Sequence, residues 1–206
     1  MAEFWANVRP EREALAADLH GIDSVAWATL SLCPGWTVRD VLAHMTALAR
    51  MTPARFFQKL LVNGFNPSRV EARDITVEKG STVEETLARF RSITARKNGL
   101  PGQSKTLLGE TVVHAEDIRR PLGIAHEYRV EALVTVADHY ARSNLIAGSK
   151  RRIAGLSLQA NDIGWSTGSG PVVSGPMLSL LMVMAGRHAP IEDLQGKGLA
   201  ILRSRI

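Results

Sequence analysis

The sequence contains very little cysteine. Cys33 is the single cysteine among 206 residues. One cysteine excludes an internal disulfide and any zinc site built from several cysteines, and it is typical of proteins that work in a reducing compartment. We therefore expect a cytoplasmic protein, and we interpret Cys33 as a small buried residue in a turn.

Long hydrophobic runs are also lacking. The longest, around residues 177–185, is far too short to cross a bilayer. Residues 1–5 do not form the charged segment that precedes the apolar part of a signal peptide. We expect no membrane association.

The chain is basic, but its basic residues are scattered. The formal net charge is +5 and the pI is about 9.8. The densest basic runs, at residues 119–120, 150–152 and 203–205, are not interleaved with aromatic side chains as a surface for single-stranded nucleic acid would be. We therefore expect a solvated surface and no nucleic-acid partner.

Most of the first 150 residues carry helical patterns. The clearest helix start is at Thr37, where the side chain can cap the helix and Asp40 can return the bond in a capping box. A loop is expected at residues 63–68. Helices are predicted over residues 10–20, 24–30, 37–62 with a kink near Pro53, 82–97 from a second capping box at Thr82 and Glu85, 104–120 and 129–147.

The pattern changes after residue 148. Short β-like pieces between residues 153 and 173 are separated by turn-rich segments, and a compact helix follows over residues 176–186. We therefore predict a mostly α protein with a helical bundle at residues 1–150 and a small α+β segment at residues 151–206. Short exposed strands would also allow a homodimer.

One helical face in residues 104–120 carries ionisable groups between apolar ones. Leu107, Glu110, His114 and Ile118 fall on the same side of a helix because they are spaced by three or four residues. A buried carboxylate must be paired or bound to a cation. Two interpretations follow: a divalent metal, or a Glu–His pair with a nearby arginine.

His44 supplies a third candidate ligand. It lies beside the apolar stripe of the helix that begins after Thr37, so it should face the bundle interior. A lone histidine there is usually an ordinary core residue. Together with Glu110 and His114, however, it completes a set of two histidines and one carboxylate, which leaves an open position on zinc or iron(II).

Three stretches carry a family resemblance. They are residues 31–44, which contain His44, residues 110–123, which contain Glu-x-x-x-His, and residues 164–187. In these stretches the sequence resembles the mycothiol-dependent maleylpyruvate isomerase family, within the wider group of DinB-like helical bundles. The resemblance extends over nearly the whole chain, and the first two motifs together are fairly specific.

The resemblance implies a fold, a cofactor and a class of reaction. The fold would have a DinB-like four-helix bundle core, and His44, Glu110 and His114 would hold a divalent metal, usually zinc. The protein would be an enzyme that uses mycothiol as co-substrate. We favour transfer of the thiol sulfur to an electrophilic small molecule, because no clustered arginine pocket for a diacid is visible.

Three alternatives to thiol transfer remain open at this point. The first is cis–trans isomerisation of maleylpyruvate with the same thiol. The second is hydrolysis by metal-activated water. The third is a non-catalytic bundle that binds a ligand or a partner.

Three further residues are candidates for supporting roles. Asp117 is positioned to orient His114, although an ion pair at the surface with Arg119 or Arg120 is the competing interpretation. Arg69 and Arg73 are candidates for binding a substrate carboxylate, with a solvated helix face as the alternative.

Overall fold

The computed structural model describes residues 2–97, 104–144 and 148–206. These residues form eleven α-helices, one 3-10 helix and three strands, which confirms the predicted mostly α fold with a small sheet near the C-terminus. The helices are α1 (Ala2–Asp18), α2 (Ser24–Ala28), α3 (Val38–Arg50), α4 (Pro53–Val62), α5 (Pro67–Lys79), α6 (Val83–Arg91), α7 (Ser104–Leu122), α8 (Val130–Arg142), α9 (Ser149–Arg152), α10 (Met177–Met184) and α11 (Leu199–Arg203), and the 3-10 helix is Ala189–Asp193. The strands are β1 (Ser157–Ala160), β2 (Ser166–Gly168) and β3 (Val172–Gly175).

The chain divides into two compact units, residues 1–126 and residues 127–206. The sequence placed a domain boundary at residue 150 instead, after α8. Compactness alone does not define a domain, so the assignment of residues 1–150 and 151–206 stays a prediction. None of the helices in the described ranges combines the length and the apolar character that crossing a membrane requires.

Four helices of the first unit, α1, α3, α6 and α7, enclose its hydrophobic core. Each contributes an apolar face, and burying one leucine-sized side chain stabilises a fold by roughly 1.5–3 kcal/mol. The buried side chains include Leu15, Leu19, Val41, Leu42, Met45, Leu87, Phe90, Ala115 and Ile118.

The start of α3 is the predicted capping box. The Thr37 hydroxyl accepts a bond from the Asp40 backbone N–H at 3.2 Å, and the Asp40 carboxylate accepts from the Thr37 N–H at 3.0 Å. Lys79 adds an ion pair to the same carboxylate at 2.6 Å. At α6, Thr82 also caps the helix, but Glu85 accepts from the Ser81 N–H instead of closing a second box.

The predicted single kinked helix over residues 37–62 is wrong, because α3 and α4 are separate helices. Thr52 has an extended backbone and accepts a hydrogen bond from the Arg55 N–H. Pro53 then occupies the first turn of α4, where its missing N–H costs nothing. The proline therefore starts a new helix instead of bending an existing one.

The sequence did not predict α5, and it read the start of this helix as a loop. Asn66 caps the helix and Pro67 opens it. The buried face of α5 includes Asp74 and Glu78 as well as apolar residues, so no clear apolar stripe appears in the sequence. Their charges are neutralised by Lys59 and Arg50 from outside the helix, at 2.5 and 2.7 Å.

Helix α7 continues two residues beyond its predicted end at Arg120. Pro121 lies in its last turn, and Gly123 ends it with a φ of +66°. The Gly123 and Ile124 N–H groups bond back to the carbonyls of Arg120 and Arg119, which is the Schellman pattern.

The second unit contains the three-stranded sheet in the order β2–β1–β3. β1 pairs antiparallel with β2 and parallel with β3. Leu158 and Val173, which are paired in register, are both fully buried. Three residues that the sequence placed in β-like pieces are not in strands: Ile153 caps the C-terminus of α9, Leu156 lies just before β1, and Ile163 lies in a bend.

The Asp40 carboxylate should stabilise the fold measurably. Burial raises its pKa, but hydrogen bonds from Lys79 and Thr37 outweigh burial and bring the pKa below the usual value. We expect Asp40→Asn to lower the free energy of unfolding by about 1–2 kcal/mol at neutral pH in urea denaturation. Because the pKa of Asp40 is lower in the folded state, the difference in free energy of unfolding between wild type and Asp40→Asn should be complete above the unfolded-state pKa of about 3.9. It should vanish as the pH falls through the folded-state pKa.

Glu13→Gln is the control for that measurement. Glu13 pairs with Arg9 in an exposed i,i+4 ion pair, and such pairs contribute little. An Asp40→Asn loss no larger than the Glu13→Gln loss would contradict the role of the capping box.

Candidate metal centre

The structure brings His44, Glu110 and His114 together. Their ligand atoms all lie within 4.8 Å of one another. The His44 and His114 rings meet edge to face, with centroids 5.0 Å apart. His44 comes from α3, whereas the other two residues stand one turn apart on α7, so the facing sides of two core helices form the cluster.

His114 lies between two carboxylates. Its Nε2 is 3.0 Å from a Glu110 oxygen, and its Nδ1 is 2.9 Å from an Asp117 oxygen. The His114 side chain is 9% exposed, Glu110 is 19% exposed and Asp117 is fully buried. Both ring nitrogens therefore face negative charge in a largely dry environment.

This arrangement favours a positive charge on the ring or directly beside it. Burial lowers the pKa of His114, but hydrogen bonds with Asp117, Cys33 and Glu110 outweigh burial and hold the pKa well above its usual value. A neutral imidazole would present a lone pair to one of the carboxylates. Either a second proton or a metal ion at Nε2 removes that conflict.

His44 also has a carboxylate beside it. Its Nδ1 lies 3.6 Å from a Glu71 oxygen of α5, and the Trp36 ring packs against it with centroids 4.9 Å apart. Burial raises the pKa of Glu71, the positive charge of His114 lowers it, and the negative charge of Glu110 raises it. Glu71 is thus electrostatically coupled to the cluster.

A second group of possible ligands shares His114. Cys33, His114 and Asp117 also bring their ligand atoms within 4.8 Å, and the Cys33 thiol donates a hydrogen bond to Asp117 at 3.0 Å. All three residues are buried, so a metal here would lack an accessible position for substrate. The set of His44, Glu110 and His114 is partly open, and it fits a catalytic ion better.

Asp117 does not take part in a surface ion pair. The competing interpretation placed it with Arg119 or Arg120, yet its side chain is fully buried beside His114. Arg119 instead pairs with Asp18 of α1 at 2.7 Å, and Arg120 approaches Glu116 at 3.7 Å. The arrangement at Asp117 is the one expected of a carboxylate that orients a histidine ligand.

Arg69 and Arg73 are both exposed on α5. Each lies two residues from Glu71, which corresponds to about 200° around a helix. Their role in binding a substrate carboxylate stays a prediction.

Sequence reasoning missed two neighbours of the cluster. Glu71 was not considered because α5 was not predicted. Cys33 was correctly expected to be buried, but its contact with Asp117 was not foreseen. The signal in the sequence was that Cys33 lies four residues before Thr37, which caps the helix that carries His44.

The N-terminal half of the chain matches a known domain. Residues 8–99 match the family model of the mycothiol maleylpyruvate isomerase N-terminal domain. The family resemblance predicted from the motifs is confirmed. No curated protein matches the chain significantly.

Two solved structures are similar to the whole chain. One is a histidine-to-alanine mutant of the mycothiol-dependent maleylpyruvate isomerase, with 18% identity and a TM-score of 0.59. The other is the mycothiol-dependent maleylpyruvate isomerase, with 17% identity and a TM-score of 0.55. Each alignment covers 95% of this chain and 92% of the other chain. At these identities the likeness to the solved structures establishes the fold. The matching domain family and both solved structures are named for an enzyme.

A metal ion held by this cluster would stabilise the folded protein, and zinc is the ion for the test. A ligand that binds only the folded state at 100 times its Kd adds about 2.7 kcal/mol to the free energy of unfolding. We expect that increase in urea denaturation of the wild type with buffered zinc, and its loss in Glu110→Gln. The exposed His20 lies outside the cluster, so His20→Ala should respond as the wild type does; an equal response in Glu110→Gln would locate zinc elsewhere.

Proposed function

We propose that this protein is a metalloenzyme that uses mycothiol as the nucleophile and transfers its sulfur to an electrophilic small molecule. The observation that carries the proposal is the convergence of His44, Glu110 and His114 from two core helices. The match of residues 8–99 to a domain family named for mycothiol supports the choice of thiol.

His44, Glu110 and His114 would hold a divalent metal, which we propose to be zinc. Two imidazoles and one carboxylate are a common ligand set for catalytic zinc, and three protein ligands leave one position open. Zinc bound there would lower the pKa of a coordinating thiol so that a thiolate exists at neutral pH.

The neighbouring carboxylates would fix the histidines. Asp117, 2.9 Å from Nδ1 of His114, would accept from Nδ1–H and so leave the Nε2 lone pair for the metal. Glu71 lies on the Nδ1 side of His44 and can act in the same way. The two carboxylates would maintain the ring orientations and increase the basicity of both ligands.

In the proposed reaction, the thiol sulfur forms a bond to an electrophilic carbon, and the leaving group departs with the electrons of its bond. The thiol proton passes to solvent or to the leaving group. The protein would contribute a fixed position for the sulfur beside the electrophile.

Isomerisation of maleylpyruvate is the second candidate. The two similar structures are both of a mycothiol-dependent maleylpyruvate isomerase, which favours it. A diacid substrate, however, calls for cationic side chains. Arg69 and Arg73, the candidates from the sequence, are exposed and lie about 200° around α5 from Glu71, and we therefore favour an electrophile without two carboxylates.

We place the reaction in the cytoplasm, where a thiol co-substrate stays reduced. The proposed partners are the thiol and a small electrophile, with no nucleic acid and no membrane. A homodimer remains a prediction.

Elemental analysis tests the metal site directly. We expect about one zinc per chain in wild type purified without chelator, and none in His114→Ala, because the variant loses the central ligand. His20→Ala should retain the metal. Negligible zinc in wild type and in His114→Ala after soaking would leave the non-catalytic bundle as the remaining interpretation.

A parallel assay distinguishes the reactions. With zinc-loaded protein, an electrophilic substrate should be consumed only when mycothiol is present, and the product should carry the thiol. Consumption of a hydrolysable substrate without thiol would indicate a metal hydrolase. Conversion of maleylpyruvate without a stable thiol adduct would indicate the isomerase.

Asp117→Asn should weaken zinc binding. Loss of a carboxylate that supports a histidine ligand typically lowers metal affinity by about 10–100-fold. Competition with a chelator measures the affinity, and circular dichroism checks that the variant is folded. Asp18→Asn is the control, because it breaks the ion pair between Asp18 of α1 and Arg119, which lies on α7 as Asp117 does. If this control lost as much zinc affinity as Asp117→Asn, the effect would come from helix packing.

A further inference from the structure

The turn before α3 holds the only cysteine of the chain against the residue that supports His114. Gly35 has a φ of +78°, and the Trp36 N–H bonds to the Cys33 carbonyl at 3.1 Å. Pro34 and Gly35 thus occupy the central positions of a type II turn, where proline presets one dihedral and glycine tolerates the other. The turn fixes the direction of the Cys33 side chain.

The Cys33 side chain contacts the buried face of α7. Its Sγ lies 3.0 Å from Asp117 Oδ2, as a donor, and 3.7 Å from His114 Nδ1. The same Asp117 oxygen lies 2.9 Å from His114 Nδ1. One carboxylate oxygen therefore serves two groups, a thiol from the turn and an imidazole from its own helix.

A backbone bond reinforces this junction. Pro121 has no N–H, so it cannot bond to the carbonyl of Asp117 four residues earlier. That carbonyl instead accepts from the Leu32 N–H at 3.1 Å. Residues 32 and 33 thus engage Asp117 at both its main chain and its side chain.

We propose that Cys33 is a positioning residue: its thiol, by donating to Asp117, fixes the carboxylate that sets the orientation of His114. This proposal rests on the metal site proposed above, and it does not require the thiol to react. It also explains why a thiol is placed in a pocket that contains a carboxylate and not against apolar side chains alone.

Two substitutions of Cys33 separate hydrogen bonding from packing. Cys33→Ser keeps a donor of similar size, whereas Cys33→Val keeps an apolar side chain and removes the donor. We expect Cys33→Val to lower zinc affinity about tenfold in chelator competition, the lower end of the effect of supporting groups, and Cys33→Ser to stay close to wild type. If Cys33 acted through packing, Cys33→Ser would lose more zinc affinity than Cys33→Val, and that result would overturn the proposal.

The thiol itself gives a readout that needs no metal. Because Cys33 is the only cysteine, the infrared S–H stretching band of the protein belongs to it alone. We expect the band of the folded, metal-free wild type at lower wavenumber than in urea-unfolded protein, and an upward shift in Asp117→Ala. Equal positions in folded and unfolded protein would show that the hydrogen bond is absent.

The zinc affinity and the position of the S–H band distinguish failure of the proposed function from failure of the positioning role. A protein that binds no zinc but shows the shifted S–H band would refute the proposed function and retain the contact between Cys33 and Asp117. Zinc binding with equal affinity in the wild type, Cys33→Ser and Cys33→Val would retain the proposed function and overturn the positioning role.

Discussion

The cluster depends on how Asp117 joins α7 to the segment that precedes α3. The carbonyl of Asp117, which Pro121 cannot engage, receives the Leu32 N–H, and its carboxylate receives the Cys33 thiol. His44 lies on the helix that starts just after this segment. The positions of the candidate ligands on the two helices are therefore set by protein contacts, which is the kind of preorganisation that a metal site requires.

Several buried charges in this unit meet one opposite charge. Glu78 pairs with Arg50, and Arg119 pairs with Asp18, so each of these two acids meets a guanidinium group. His114 is different, because it can carry a single positive charge and faces Glu110 on one side and Asp117 on the other. Removing ions from water is costly unless their charges are balanced. A divalent ion would balance the charges of this group better than one proton does, and this supports the proposed metal site.

Local patterns in the sequence predicted the parts of the site that depend on helix geometry. The i,i+4 spacing of Glu110 and His114 defines a shared face, and the apolar stripe of the helix that begins after Thr37 predicts that His44 faces inward. Glu71 could not be predicted in the same way. The helix that carries it buries Asp74 and Glu78, whose partners are distant in sequence, so its pattern does not resemble an amphipathic helix.

Asp117 shows how a buried role can be hidden in a polar sequence. Its spacing from His114 suits a supporting carboxylate, but the adjacent arginines equally suit a surface ion pair, and spacing alone does not separate the two. The structure does. Pro121 leaves the Asp117 carbonyl without its usual donor, and the Leu32 N–H takes that place. A second segment thus packs against α7 at Asp117, whose side chain is fully buried and not part of a solvated surface pair.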